Sequence, residues 1–198
     1  MMRYTIHIAL MVLMTGAAWW LRPAPAQQPV AAVSVPEPAL CAADDLTLAC
    51  PPVLNAAQLD AILASYGSPA VGTGAVWIAE GARTGINPEI ALAFFVHESS
   101  AGTASGWAGW KPDGSSTHNV GNIICAGYAT CYGRFRDYAS WDVGIADWYD
   151  LIAREYVAGR GHRSVADVIP VYAPSFENDV SGYIGAVQAL VQQWRTQP

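Results

Sequence analysis

Glu98 is the residue of this chain best placed to do chemistry. It follows a run of seven apolar residues, Ile90 to Val96, and then His97, so a helix threaded through a core would deliver a carboxyl group at its C-terminal end. Desolvation by the core and the negative end of the helix dipole both push the pKa of such a group upward. A carboxyl that keeps its proton near neutral pH can serve as a general acid. The same position also suits an acid that forms a salt bridge or caps a loop, and position alone does not choose between the roles. Three later acids, Asp113, Asp137 and Asp179, stand as possible bases opposite it.

The elements that must position Glu98 follow from apolar spacing. Asn55 suits an N-cap, and Leu59, Ile62 and Leu63 share one face of a helix to about Tyr66, ended by Gly67, Ser68 and Pro69. A second helix is predicted over residues 74–83, ending at Gly85. The third starts at Pro88, after Asn87, and covers residues 88–97. From residue 99 to about 140 the texture turns to Gly, Ser, Thr and aromatics, and residues 122–125 and 132–138 are expected to pair as a hairpin. Helical spacing returns at residues 141–156, 165–171 and 179–195, with Asn178 or Asp179 suited to cap the last helix.

The string Glu98-Ser99-x-x-Gly102-Thr103, followed by Phe135-Arg136-x-Tyr138-x-Ser140 and by Tyr172-Ala173, resembles the glucosaminidase family of the lysozyme-like superfamily, the mannosyl-glycoprotein endo-beta-N-acetylglucosaminidase-like enzymes. The likeness covers residues 55–195. It implies a mainly α (α+β) fold, a lysozyme-like helical domain with a small β-hairpin lobe. It also implies a glycosidase that cleaves β-1,4 bonds of N-acetylglucosamine-containing glycans, chiefly peptidoglycan, with Glu98 as general acid and Tyr172 as the tyrosine near the cleft. The family's Asn-x-x-Gly-Ile turn is similar to the stretch Asn119, Val120, Gly121, Asn122, Ile123, but Asn122 stands where glycine is expected.

Glycoside hydrolysis needs a second group opposite the acid, to stabilise the cationic sugar or activate water. Asp137 is the candidate catalytic partner on the hairpin; its alternative reading is a solvated mate for Arg134 or Arg136. With a 2-acetamido sugar the substrate's own carbonyl can take that role. Candidate substrate-binding residues are Trp107, Trp110, Asn119, Tyr128 and Asn178, because glycan clefts combine flat aromatic faces with polar groups. Trp107 and Trp110 have the competing role of plugging the small lobe. His97 is expected to pack behind Glu98. Two rival functions stand beside the hydrolase: a lytic transglycosylase, and a non-catalytic glycan-binding module of the same fold.

Composition frames these expectations. The chain has 198 residues, 53% of them hydrophobic, a net charge of −6 and a single lysine, Lys111, so a sequence-independent grip on nucleic acid is excluded as a function class. Arg3, the apolar residues 8–21 and Ala24-Pro25-Ala26 read as a signal peptide over residues 1–26. A secreted or cell-wall-associated protein is expected, touching a membrane only if that segment is retained. Loss of the leader removes two arginines and no acid, moving the net charge from −6 to −8. Residues 27–52 read as a Pro/Ala-rich linker ending in a disulfide loop, ahead of a domain at 53–198. Export permits disulfides, and short loops favour Cys41 with Cys50 and Cys125 with Cys131 over crossed pairings. Without Cys-x-x-Cys or neighbouring histidines, no metal and no cofactor are expected. The glycan is the one partner anticipated for a monomer.

Overall fold

Asparagine caps open the first and third helices. Asn55 Oδ1 accepts from Gln58 N at 3.1 Å while Gln58 Oε1 accepts from Asn55 N at 2.9 Å, a reciprocal box at the start of α1 (Ala56–Ser65). The computed structural model describes residues 46–176 and 178–196. They belong to one of the two units into which the chain divides, Pro38–Pro198. The signal-peptide expectation, most of the linker and Cys41 lie outside the described residues.

Helix α2 (Gly74–Thr84) ends on Gly85, whose φ of 73° is the left-handed cap that glycine adopts without strain. Asn87 then caps α3 (Pro88–Ser99), with Pro88 in its first turn. Every residue from Pro88 to Val96 is buried, as a helix apolar on all sides requires. Around α3 pack α2 and α6 (Val180–Thr196), while α1 and α4 (Trp141–Leu151) pack on α2, and α5 (Val165–Tyr172) packs on α6. Aromatic contacts join these layers: Trp77 stacks on Phe95 with ring centres 6.0 Å apart, and Phe94 tilts against Trp148 at 5.2 Å.

The molecule is therefore mainly helical, with one small antiparallel sheet. Strands β1 (Cys131–Tyr132) and β2 (Phe135–Arg136) pair Cys131 with Arg136 and Tyr132 with Phe135 around a two-residue turn in which Gly133 has φ 55°. The expected hairpin thus changes in detail. Residues 132–138 do not run as one strand, because Gly133 folds them back on themselves. The stretch around Ile124 instead lies beside β2 as a third segment, with Cys125 N donating to Arg134 O and Arg136 N to Ile123 O. A Cys125–Cys131 disulfide, with Cα atoms 5.9 Å apart, staples this arm at its base.

Two further differences concern the helix after the hairpin and the start of the domain. The helix expected over 141–156 is α-helical only to Leu151, then widens into a π-helical turn, Ile152–Ala158. The domain does not begin at residue 53: Leu46 and Leu48 are 1% and 3% exposed, and Leu48 is tied to Arg163 O and Asn87 N, so the end of the supposed linker is core. Cys50 is disulfide-bonded, its predicted partner Cys41 being outside the described residues. No helix among the described residues is long and apolar enough to cross a membrane.

Candidate active site

Glu98 occupies the last turn of α3, and the loop that follows explains the motif around it. Ser99 Oγ donates to Phe95 O and accepts from Gly102 N at 2.9 Å, while the amides of Thr103 and Ala104 return to Ser99 O. The chain reverses through Ser100, Ala101 and Gly102, all at positive φ. A Cβ on Gly102 would press on the rings of Phe95 and Trp141, each 3.2 Å away. Serine and glycine in the motif thus turn the chain sharply away just beyond the carboxyl.

Two side chains hold that carboxyl. Tyr183 Oη lies 2.5 Å from Oε1, and Asn122 Nδ2 donates to Oε2 at 2.8 Å and to the Glu98 carbonyl at 3.3 Å. Asn122 is itself oriented. Its Oδ1 accepts from Trp107 Nε1 at 2.7 Å, and since an indole only donates, the amide must turn its NH2 toward Glu98. Tyr183 packs tilted against His97, ring centres 3.8 Å apart, and against Phe94 at 5.5 Å. His97 therefore packs behind the residue that holds Glu98. Burial raises the Glu98 carboxyl above the usual glutamate value, against the pull of the Tyr183 and Asn122 hydrogen bonds, which favour the charged form. Burial and the nearby Glu98 charge keep Tyr183 a neutral phenol.

Glu98 opens into a cleft of ≈ 600 Å³, a size usual for ligand sites. Ile124, Arg134, Phe135 and Arg136 line it from the hairpin lobe; Tyr156 from the π-turn, Tyr172 from the end of α5, and Phe176 and Asn178 from the loop before α6 complete the lining. Tyr172 Oη donates to Gly121 O, and a Cβ on Gly121 would collide with that hydroxyl and with Trp148. The turn containing Asn122 is thereby pressed onto α5. Asn122 has φ 47°, so it meets the conformational demand for which glycine was expected, a demand asparagine tolerates, and adds a side chain that glycine lacks.

Of the predicted site residues, Glu98, Tyr172 and Asn178 share this cleft; the others do not line it. Asp137 forms an ion pair with Lys111, 2.7 Å apart, rather than with either arginine, and it does not line the cleft that Glu98 lines. Trp107, 5% exposed, packs against Trp141 and Trp110, and acts on the site only through Asn122. Trp110 is half-buried and donates to Ala104 O. Asn119, 1% exposed, spends its amide on Ile123 and Arg136 within the turn. Tyr128 lies beneath the Arg136 guanidinium. Asp179 caps α6 through Gly182 N, and Asp113 closes its own loop through Ser115. Glu98 is accordingly the sole carboxylate among the described residues lining the cleft.

Sequence reasoning missed Tyr183, Tyr156 and Arg134. Tyr183 sits on the apolar face of an ordinary amphipathic helix, and nothing in its spacing separates it from core residues. Asn122 did carry a signal, as the departure from the glycine pattern. Among the described residues no group of three or more His, Cys, Asp or Glu could hold a metal ion. No family model matches the chain, and no curated protein matches it.

Proposed function

We propose that this protein is an exported glycosidase of lysozyme-like fold that breaks β-1,4 bonds of an N-acetylglucosamine-containing glycan, peptidoglycan above all. The observation that carries the reading is Glu98: a carboxyl desolvated at a helix end, fixed by two hydrogen-bond partners, at the wall of an open cleft. A helical body bearing a small hairpin beside that cleft is what a lysozyme-like enzyme needs to seat a sugar chain between two lobes.

In this reading Glu98 gives its proton to the glycosidic oxygen as the bond to the anomeric carbon breaks, and the leaving sugar departs as an alcohol. With no second carboxylate at the cleft among the described residues, the acetamido carbonyl oxygen of the sugar that keeps the anomeric carbon bonds to that carbon as the leaving sugar departs. Water then attacks the anomeric carbon, the bond to the acetamido oxygen breaks and restores the N-acetyl group, and the water gives up a proton to Glu98. That single acid among the described lining residues also favours a second reading, a lytic transglycosylase, in which the sugar's own 6-hydroxyl attacks the anomeric carbon and loses its proton to Glu98.

Mass analysis of products from purified peptidoglycan separates the readings. New reducing ends support the hydrolase, and products one water lighter support the transglycosylase. Binding without any product supports a glycan-binding module and overturns both enzymes.

A further inference from the structure

Arg134 stands at the turn of the hairpin that walls the cleft, and its charge has no acidic partner among the described residues. Among the described residues, Arg83, Lys111, Arg136, Arg154 and Arg195 are all in ion pairs. Arg134, Arg160 and Arg163 are not, and of these only Arg134 lines the cleft. We propose that Arg134 is a specificity-determining residue that pairs with a carboxylate carried by the glycan, so that the cleft takes acidic amino-sugar chains in preference to neutral ones. This rests on the glycan reading above and goes beyond it by naming the residue that selects the substrate.

Three features fit Arg134 to that task. Its guanidinium lies over the Phe135 ring, 5.6 Å from the centre, which supports the planar fork while leaving its donors free. Its backbone is fixed: Arg134 O accepts from Cys125 N at 2.8 Å, and Cys125 is bonded to Cys131 across the base of the arm. The charge balance of the cleft also favours an anion. Arg136 is neutralised by Asp147 at 2.6 Å, and Glu98 must be protonated to act as an acid, so among the described lining residues Arg134 leaves a local positive charge in a chain whose net charge is −6. A guanidinium binds a carboxylate through two parallel hydrogen bonds, which an ammonium cannot reproduce.

The test compares the wild type with Arg134→Gln and Arg134→Lys on three probes. These are peptidoglycan strands stripped of peptide, the same strands with their sugar carboxylates amidated, and peptide-bearing strands. The readouts are kcat/KM for each probe and, in the Glu98→Gln background, Kd by calorimetry. For wild type the stripped acidic strand should be preferred over its amidated form, and Arg134→Gln should lower that preference about fivefold, the scale of one exposed ion pair. Arg134→Lys should fall between them, and the preference should shrink with added salt. A preference that appears only with peptide-bearing strands, and falls with Arg134→Gln, places the paired carboxylate on the peptide. An acidic-to-neutral ratio unchanged by Arg134→Gln on both kinds of strand overturns the proposal. If no probe is cleaved, the glycosidase reading fails while the Kd ratio still decides the role of Arg134; absence of binding by every probe overturns both.

Discussion

Tyr183 and Trp107 reach Glu98 from different elements, one directly and one through Asn122, and both control which form of the carboxyl is favoured. The Tyr183 and Asn122 hydrogen bonds favour the charged form while burial opposes it. Replacing Tyr183 by Phe removes one of these bonds, so the Glu98 pKa rises further. A general acid works only while protonated, so the alkaline limb of the rate profile should move to higher pH. At the same time kcat should drop about tenfold, because the carboxyl loses a fixed partner. Trp107→Phe should act in the same direction, since it frees the Asn122 amide to turn its oxygen toward Glu98. Rate profiles against pH, with carboxyl titration by NMR, check both variants. An alkaline limb that moves down or stays in place with Tyr183→Phe would contradict this account of how Glu98 is held.

Between elements, a buried tie lies at the other end of α3 from this chemistry. Glu89 is 0% exposed; it accepts from Val53 N at 2.5 Å and Leu54 N at 2.8 Å, and pairs with Arg195 Nε at 2.5 Å. One carboxylate thus joins the entry to α1, the start of α3 and the end of α6. Arg195→Met strands that charge in the core and should cost about 3 kcal/mol of stability, as breaking a buried pair does, read as a lower midpoint in urea. A loss below about 0.5 kcal/mol would place Arg195 among ordinary surface residues. The helices themselves were legible from apolar spacing, caps and breakers: Asn55, Gly85 and Pro88 stand at the boundaries predicted for them. The π-turn was not legible, since a widened helix keeps the same apolar residues and changes only their rotation. Nor was the inclusion of Leu46 and Leu48 in the core, because two leucines near a proline-rich stretch have no periodicity to report. The site was legible where the backbone carried its signal, at Glu98, Ser99 and Gly102. It was hidden where long-range contacts assembled it, as with Tyr183, 85 positions from Glu98.

For the whole molecule, Glu98 links activity to stability. Its folded pKa is raised, so the folded state holds a proton that the unfolded chain releases at lower pH. Its contribution to stability is full below the unfolded value and is lost as pH rises through the folded one. If the substrate is peptidoglycan as proposed, the acidity of the chain, −6 overall, opposes approach to an anionic wall at long range, and Arg134 would act only at short range. Glu98→Gln keeps the size and hydrogen-bonding reach of the side chain while deleting its proton chemistry and its charge. The acid role of Glu98 is tested by turnover of purified peptidoglycan by wild type and Glu98→Gln at neutral pH, with thermal unfolding of both followed alongside. With Glu98 as general acid, turnover falls by about a hundredfold or more while the melting temperature stays level or rises. Undiminished turnover in a folded Glu98→Gln protein would contradict that role.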